Sequence, residues 1–305
     1  MPAAYIAVGV SSKQSTNIQS TDSPDQGAFL CPYRLLTLGV TMKILDNITV
    51  VKVGTSTQIE TLYDGTEQLD MISLERIGKQ ITDRYEQGQN TLLVSSGAIA
   101  SGMAAVGLNM RPKKETSMHE LQRLASIGWR HNLNAWDSVL GSLTTGGVLL
   151  TKRELDLYSE RKELITVTHT MVSHGDIVIA NENDVISHSE IAIGDNDTLA
   201  AGYAAKLASS GLFGIVNLLL LTDVDGLYRD INDRDSLIKI VDDLSQYEHL
   251  AGEAGTDGGT GGMRTKFAAA AIACAAGVNM WIANGREDDV IQRALSGETG
   301  TLFTA

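Results

Sequence analysis

Two lysines and one aspartate, far apart along the chain, are the residues best suited to chemistry. Lys52 lies near the end of an apolar run in VVKVGTS (50–56), and Lys266 ends the glycine-dense segment GTDGGTGGMRTK (255–266). Asp197 lies where an alanine-rich helical pattern begins. Ammonium groups beside glycine turns and helix starts bind phosphate groups. The three residues therefore predict a phosphate-handling site, although VVKVGTS alone would favour an edge lysine in solvent.

The glycine-dense segment has the composition of a loop that surrounds phosphates. The residues before its lysine include Gly259, Thr260, Gly261, Gly262 and Met263. The segment matches neither the GxxxxGK[ST] pattern nor the GxGxxG dinucleotide pattern. Such glycines would also suit a flexible linker. The lysine at the predicted start of the following helix favours the phosphate interpretation.

A second candidate anion site is VSSGAIASG (94–102), where a predicted strand runs into a helix of small residues. The hydroxyls of Ser95 and Ser96 and the free N–H groups at the helix start could bind an anion. The same serines could equally be helix N-caps, with the small residues allowing close packing. Both interpretations stay open.

The segment IANENDVISHSEIAIGDNDTLAAG (179–202) is crowded with acidic residues. It contains five carboxylates and three asparagines, with one histidine as the nearest cation: Glu182, Asp184, Glu190, Asp195, Asp197, Asn181, Asn183, Asn196 and His188. A surface loop could be this acidic. The asparagines favour ordered polar recognition, and Asp197 is placed to orient lysines or a metal-bound phosphate.

These residues must be positioned by alternating strands and helices. Continuous apolar runs predict strands at 47–53, 90–95, 146–151, 176–180, 214–222 and 278–283. Helical patterns lie between them, at about 73–87, 96–107, 118–140, 159–174, 197–209 and 264–276. The alternation predicts an α/β fold, with an open, mostly parallel sheet between helix layers. Right-handed crossovers would bring the carboxyl ends of the strands to one ligand-binding edge.

Composition excludes several classes of function. The net charge of −13 argues against general nucleic-acid binding, which needs cations. No apolar run approaches the roughly 20 residues that span a bilayer, so no membrane partner is expected. Cys31 and Cys274 suit two free thiols in a reducing compartment, which predicts a cytoplasmic protein.

Residues 1–41 differ from the rest of the chain, because they are rich in polar residues and glycine and show no periodicity. They predict a disordered extension, or translated sequence upstream of a start at Met42. Residues 42–305 are then expected to form the folded domain.

The motifs, in their order, resemble the amino acid kinase family. VVKVGTS, SSGAIASG, NEND, GDND, LLTDVDGLY and GTGGMRTK carry the resemblance, together with GTLF (300–303), so that it covers nearly all of 43–305. NEND and GDND lie twelve residues apart, counted from Asp184 to Asn196. That pair favours the branch of the family that phosphorylates L-glutamate over the branches acting on acetylglutamate, aspartate, carbamate or uridylate.

The resemblance implies roles for the residues above. Lys52 and Lys266 would hold the transferring phosphoryl group of ATP, and Asp197 would orient both lysines. Ser96, Asp184 and Asn196 would bind glutamate through the N-terminal part of the domain. The nucleotide site, in the C-terminal part, would involve Lys52, Thr222, Asp223, Gly259, Thr260, Gly261, Gly262, Met263 and Lys266. Mg²⁺ would bridge the ATP phosphates.

The implied reaction suits these residues. A glutamate side-chain carboxylate, with a pKa of roughly 4.3, is already an anionic nucleophile at neutral pH and needs no general base. The requirement is positive charge that stabilises the transferring oxygens. The resemblance also implies a homo-oligomer that proline inhibits.

The chain departs from the family pattern at three places. LQRLASIGW (121–129) has Leu121 and Trp129 where a lysine and a glutamine are expected. LASSGLFGIVN (207–217) is about six residues longer than expected. The C-terminal RNA-binding-like PUA domain of many relatives is not expected here.

Two alternatives stay open: a related kinase with another acidic substrate, and a catalytically silent ligand sensor. Loss of Lys52, Asp197 or Lys266 would favour the sensor, and all three are present. A nicotinamide dehydrogenase is disfavoured, because the sequence lacks the GxGxxG fingerprint of that class.

Overall fold

The computed structural model describes residues 42–113, 117–187, 196–251 and 262–305. The predicted N-terminal extension, residues 1–41, lies outside these ranges.

In the described ranges, strands and helices alternate along the chain. The strands are β1 (Ile48–Val53), β2 (Ile59–Thr61), β3 (Glu67–Leu69), β4 (Asn90–Val94), β5 (Thr145–Leu150), β6 (Ile177–Glu182), β7 (Val216–Thr222), β8 (Leu227–Tyr228), β9 (Leu237–Ile238), β10 (Ile240–Val241), β11 (Asn279–Asn284) and β12 (Thr301–Phe303). The helices are α1 (Thr55–Gln58), α2 (Met71–Glu86), α3 (Ala98–Val106), α4 (Met118–Leu140), α5 (Lys152–Asp156), α6 (Tyr158–Ser173), α7 (Asn196–Ser209), α8 (Leu244–Tyr247), α9 (Met263–Ala275) and α10 (Val290–Leu295). Within the same ranges, no helix is long and apolar enough to cross a membrane.

The main sheet has eight strands in the order β10-β12-β11-β7-β1-β4-β6-β5. All its neighbouring strands are parallel except β11 and β12, which are antiparallel. This confirms the predicted open, mostly parallel α/β sheet. Two small hairpins, β2–β3 and β8–β9, stand apart from it.

Both faces of the sheet are buried, which explains the continuous apolar runs of its strands. Val50 in β1 packs in one core cluster with the fully buried Tyr203 of α7, and Val51 packs in a second cluster with Trp136 of α4. Because successive side chains in a strand point to opposite faces, a strand covered on both sides is apolar at most positions and shows no polar alternation. All six residues of β1 are buried.

Glycines bring α3 and α4 into close contact. A Cβ added to Gly102 in α3 would lie 1.9 Å from the carbonyl oxygen of Leu124, and one added to Gly128 in α4 would lie 1.8 Å from that of Ala98. Only residues without a Cβ permit this approach. The small residues of SSGAIASG therefore serve helix packing, as one of the two interpretations expected. The expectation that Ser95 or Ser96 caps α3 was wrong, because the N-cap is Gly97 and no side chain caps the helix.

The six predicted strands and six predicted helices are all present, with ends shifted by a few residues. The sequence patterns missed the short pieces: the two hairpins, β10, β12, α1, α5, α8 and α10. The long connection after α7 pairs with the start of the domain, because Leu45 donates to the carbonyl of Leu212 at 2.9 Å and Gly214 donates to that of Leu45 at 2.9 Å. Residues of this longer connection thus form an isolated parallel β-bridge, between Phe213 and Leu45.

Four neighbouring parallel strands, β7, β1, β4 and β6, end at the same edge of the sheet. The residues at or just beyond these ends include Lys52, Ser96, Asp184 and Thr222. Topology alone therefore gathers side chains from four distant parts of the sequence.

Candidate active site

Asp197 lies between the two lysines that the sequence singled out. Its Oδ1 is 2.7 Å from the Nζ of Lys52, and its Oδ2 is 3.3 Å from the Nζ of Lys266. Thr265 adds a hydrogen bond from its hydroxyl to Oδ2 at 2.9 Å. All three charged residues are at least nine-tenths buried. Residues from β1, α7 and α9 thus form one compact, positively charged cluster.

The local chain positions each member of this cluster. Lys52 lies one residue before the end of β1, and Asp197 lies in the first turn of α7. Lys266 is in the first turn of α9, whose N-cap is Gly262. A Cβ at Gly54, just beyond β1, would lie 3.1 Å from the Leu221 carbonyl oxygen and 3.7 Å from Lys52 Nζ. Glycine thus keeps the space beside the Lys52 ammonium open.

The charge state of Asp197 follows from its surroundings. Burial on its own would raise the pKa of this carboxyl group. The positive charges of Lys52 and Lys266, with hydrogen bonds from Lys52 and Thr265, outweigh burial and lower the pKa from 3.8 to about 2. Asp197 is therefore an anion at neutral pH, shared by two cations, and the cluster carries net positive charge.

A second group of polar residues surrounds the turn after β4. The side-chain amide of Asn196 donates to the Ser95 carbonyl oxygen at 2.9 Å, to Ser96 Oγ at 3.2 Å and to Asn181 Oδ1 at 2.9 Å. The side-chain oxygen Oδ1 of Asn196 accepts from the backbone N–H of Glu182 at 3.3 Å. Asn196 therefore ties the ends of β4 and β6 together, directly beside Asp197 in sequence.

Asp184 follows the end of β6 and has an unusual environment. It is 7% exposed, and its Oδ1 has no hydrogen-bond partner among the described residues. Burial, with the negative charge of Glu182, raises the pKa of Asp184 to about 7, although Arg111 opposes the shift. Glu182 itself accepts a hydrogen bond from Ser187 at 2.7 Å. A buried acceptor of this kind suits a cationic ligand group.

The predicted nucleotide residues Thr222 and Asp223 lie at the end of β7. Thr222 is buried and donates to Asp223 Oδ1 at 3.1 Å, whereas Asp223 is exposed. Just beyond them, Asp225 accepts from Tyr228 at 2.7 Å and from Asn284 at 2.8 Å, and these bonds lower its pKa. The contacts join the loops that follow β7 and β11.

Part of the glycine-dense segment falls within the described ranges. Gly262 and Met263 form the start of α9, and the Gly262 carbonyl accepts from Thr265 Oγ1 at 2.9 Å. Gly259, Thr260 and Gly261 lie outside the described residues.

The described residues contain no group of three or more histidine, cysteine or acidic side chains that could hold a metal ion. Both Asp197 oxygens already face cations. Mg²⁺ commonly binds through substrate phosphates and water with few protein ligands. The described part of the site is compatible with a metal that arrives with a nucleotide.

Sequence reasoning missed several residues of this region. Thr265 touches Asp197, while Gln58, Asn132 and Trp136 bind the turn that carries Ser95 and Ser96. Thr265 lies within GTGGMRTK, next to Lys266, and that place was the available signal for it. Gln58 lies outside every predicted strand and helix, and Asn132 and Trp136 look like ordinary helical residues until the fold is known.

Comparison with known proteins assigns this fold to a known family. The chain belongs to the amino acid kinase family, whose sequence model matches residues 47–284. Among its relatives, it is 37% identical to the glutamate 5-kinase of Clostridium tetani, over 87% of this chain and 96% of that protein. It is 39% identical to the glutamate 5-kinase of a Thermoanaerobacter species, over 83% of this chain and 67% of that protein.

A solved structure supports the fold independently. The carbamate kinase of Giardia lamblia, bound to AMP-PNP, superposes with a TM-score of 0.56 over 85% of this chain and 98% of that one. At 16% sequence identity, this likeness concerns the fold alone.

Proposed function

We propose that this protein transfers the γ-phosphoryl group of ATP to the side-chain carboxylate of L-glutamate, giving glutamyl 5-phosphate and ADP. The observation that carries the proposal is the cluster in which Asp197 joins Lys52 and Lys266. The relatives named above are glutamate 5-kinases. The reaction would be the first step of proline biosynthesis.

The chemistry needs little from the protein beyond position and charge. A carboxylate oxygen of glutamate attacks the γ-phosphorus, a new P–O bond forms, and the bond to the β–γ bridging oxygen breaks as ADP leaves. No proton has to move, because the nucleophile is already ionised. Lys52 and Lys266 stabilise negative charge on the transferring oxygens, and Asp197 holds both ammonium groups in place.

Recognition of the amino acid is assigned to Ser96, Asp184 and Asn196. The buried Asp184 carboxylate, with Oδ1 free among the described residues, suits the α-ammonium group of glutamate. Asn196 holds Ser96 and the ends of two strands in one arrangement. An ammonium ligand would pair with Oδ1 of Asp184 and would favour the ionised form of this carboxyl group.

The nucleotide is assigned to the neighbouring end of β7 and the start of α9. Thr222 and Asp223 lie at the first, and Gly262, Met263 and Lys266 at the second. Mg²⁺ would arrive with the ATP phosphates and neutralise part of their charge. By position in the sequence, Gly259, Thr260 and Gly261 belong to the same phosphate-binding segment.

Trapping with hydroxylamine tests the proposal directly, because hydroxylamine converts an acyl phosphate to a stable hydroxamate. With L-glutamate and Mg-ATP, the protein should form glutamyl hydroxamate and release ADP. Aspartate, N-acetylglutamate and carbamate serve as comparison substrates. ADP release with one of these and not with glutamate would replace the proposed substrate. No turnover with any of them would favour a ligand sensor.

We extend the proposal to regulation, assembly and location. Proline should inhibit in competition with glutamate, the chain should form a homo-oligomer, and the protein should act in the cytoplasm. Inhibition assays at two glutamate concentrations and light scattering of the purified protein check the first two. Removal of residues 1–41 should leave turnover unchanged, because the site described above lies wholly within residues 42–305.

A further inference from the structure

A buried polar network lies beneath the turn that carries Ser95 and Ser96. Its other members are Gln58 of α1, Ser101 of α3, and Asn132 and Trp136 of α4. Gln58, Ser95, Asn132 and Trp136 are each 0% exposed. Polar side chains are this deeply buried only where their hydrogen bonds are satisfied, because an unpaired amide in a protein interior is costly.

Gln58 is the centre of the network. Its amide nitrogen donates to the carbonyl oxygens of Val53 at 2.9 Å and of Ser96 at 3.2 Å. Its amide oxygen accepts from Ser95 Oγ at 2.9 Å and from the indole N–H of Trp136 at 3.1 Å. Every donor and acceptor of this amide is therefore used, and one side chain joins the end of β1 to the turn after β4.

Asn132 supports the same turn from α4. Its amide nitrogen donates to the Ser96 carbonyl oxygen at 2.7 Å, and its amide oxygen is hydrogen-bonded to the hydroxyl of Ser101. The orientation of both amides follows from their partners. Backbone carbonyls only accept and an indole N–H only donates, so each amide nitrogen must face Ser96.

These bonds fix the peptide unit between Ser96 and Gly97. The Ser96 carbonyl accepts from two buried amides, so it points towards α1 and α4. In a planar trans peptide, the N–H lies on the side opposite the carbonyl, so the Gly97 N–H points away from both amides. Gly97 has a φ of 77°, in the left-handed region, and α3 begins at the next residue. The Ser96 hydroxyl, on the same turn, meets Asn196.

We propose that Gln58 and Asn132 are positioning residues for the amino-acid substrate: they set the Ser96–Gly97 peptide in the orientation that binds glutamate. The inference rests on the proposed function. The hydrogen bonds of the two amides described above go to the Ser95–Ser96 turn and its neighbours and not to Lys52, Asp197 or Lys266, so their effect should appear in glutamate binding and turnover and not in ATP binding. A merely structural role would lower stability without that selectivity.

The decisive variant is Asn132→Leu, which keeps the approximate size of the side chain and removes both amide groups. The matched control is Thr91→Val, which removes a buried hydrogen bond from Arg84 at 3.2 Å at the opposite end of the same strand, β4. The measurements are kcat and KM for glutamate and for ATP, and the melting temperature of each protein. Wild-type turnover with glutamate tests the proposed function separately.

Asn132→Leu should lower kcat/KM for glutamate at least tenfold while changing KM for ATP less than threefold. Thr91→Val should leave both constants within threefold of wild type. An active wild type with kcat/KM for glutamate within threefold in Asn132→Leu would overturn the positioning role, as would an equal loss in Thr91→Val. If Asn132→Leu does not fold, Ser101→Ala, which removes only the partner of the Asn132 oxygen, should still raise KM for glutamate at least twofold; an unchanged KM would contradict the inference.

Discussion

The carboxylate of Asp197 lies 2.7 Å from the ammonium group of Lys52, in a site so enclosed that the aspartate side chain is only 2% exposed. A residue near the end of the central strand β1 and a residue in the first turn of α7 thus form one buried ion pair, and Lys266 joins it at 3.3 Å. Within these three residues, one carboxylate faces two ammonium groups, so their charges sum to one positive charge. That positive charge is what an incoming phosphate requires.

Replacing Lys266 with alanine should reduce glutamate-dependent ATP turnover by about 10²–10³-fold, because loss of one preorganised charged group commonly has this effect. The protein should stay folded, since Lys52 still faces Asp197. Initial-rate measurements of ADP release check the loss, and circular dichroism checks the fold. Lys152→Ala is a suitable control, because Lys152 is exposed and forms an ion pair with the exposed Asp156 at 2.8 Å. Full activity in Lys266→Ala would remove the proposed chemistry.

Replacing Asp197 with asparagine should destabilise the protein, because two buried ammonium groups lose their shared anion. Breaking a buried pair in this way commonly costs about 3–5 kcal/mol. The variant should also change the acid response. Since the folded pKa of about 2 is below the unfolded value of roughly 3.9, Asp197 contributes stability above pH 4 that is lost as the pH falls towards 2.

Urea unfolding of wild type and Asp197→Asn between pH 3 and pH 7 measures both effects. The difference in unfolding free energy between the two proteins should stay nearly constant from pH 7 to about pH 5 and shrink as the pH is lowered further towards 3. A constant difference would contradict the ionised, doubly paired state of Asp197.

The strands and long helices were predictable because both follow from local periodicity. The run LLLL is apolar at every position, and VVKV is apolar at every position except Lys52, as expected of strands buried on both faces. The meeting of Lys52, Asp197 and Lys266 was predictable from a general rule, that parallel strands end at one edge. The distances between these three side chains and the raised pKa of Asp184 could not be predicted, because both depend on side chains that packing brings together.

Gln58 and Asn132 show the limit of sequence reasoning most clearly. Each is an amide within a helix, a type that usually faces solvent. Asn132 is buried where α4 packs closely on α3, and Gln58 is buried between the end of β1, the turn after β4 and Trp136 of α4; both are tertiary relationships with no local pattern. The short strands and helices were missed for a similar reason, since two to six residues carry too little periodicity.

Replacing Gly128 with alanine should destabilise the protein by about 1–3 kcal/mol, the usual cost of forcing extra volume into a packed core. The added methyl group would lie 1.8 Å from the Ala98 carbonyl oxygen, so α3 and α4 must move apart. Because α3 begins beside Gly97, KM for glutamate should rise as well. Thermal unfolding and steady-state kinetics measure the two effects. Ala105→Ser, on the exposed side of α3, is the control, and equal behaviour of both variants would contradict the packing argument.

The raised pKa of Asp184 predicts how glutamate binding depends on pH. Burial and the neighbouring Glu182 raise this pKa to about 7, so in the ligand-free protein the carboxyl group gains its charge only near neutrality. An α-ammonium group binds the ionised form. KM for glutamate should therefore fall as the pH rises from 6 to 8, while KM for ATP changes little.

The raised pKa of Asp184 also makes the stability of the ligand-free protein fall as the pH rises, whereas glutamate binding improves. The folded protein holds this proton up to about pH 7, whereas an unfolded aspartate releases it near pH 3.9, so the contribution of Asp184 to stability is largest at low pH. It declines between about pH 4 and pH 7 in the absence of ligand. Asp184→Asn should abolish the pH dependence of KM for glutamate, leave KM high throughout, and stabilise the ligand-free protein near neutral pH. A variant that retains the wild-type pH profile would show that another group receives the substrate ammonium.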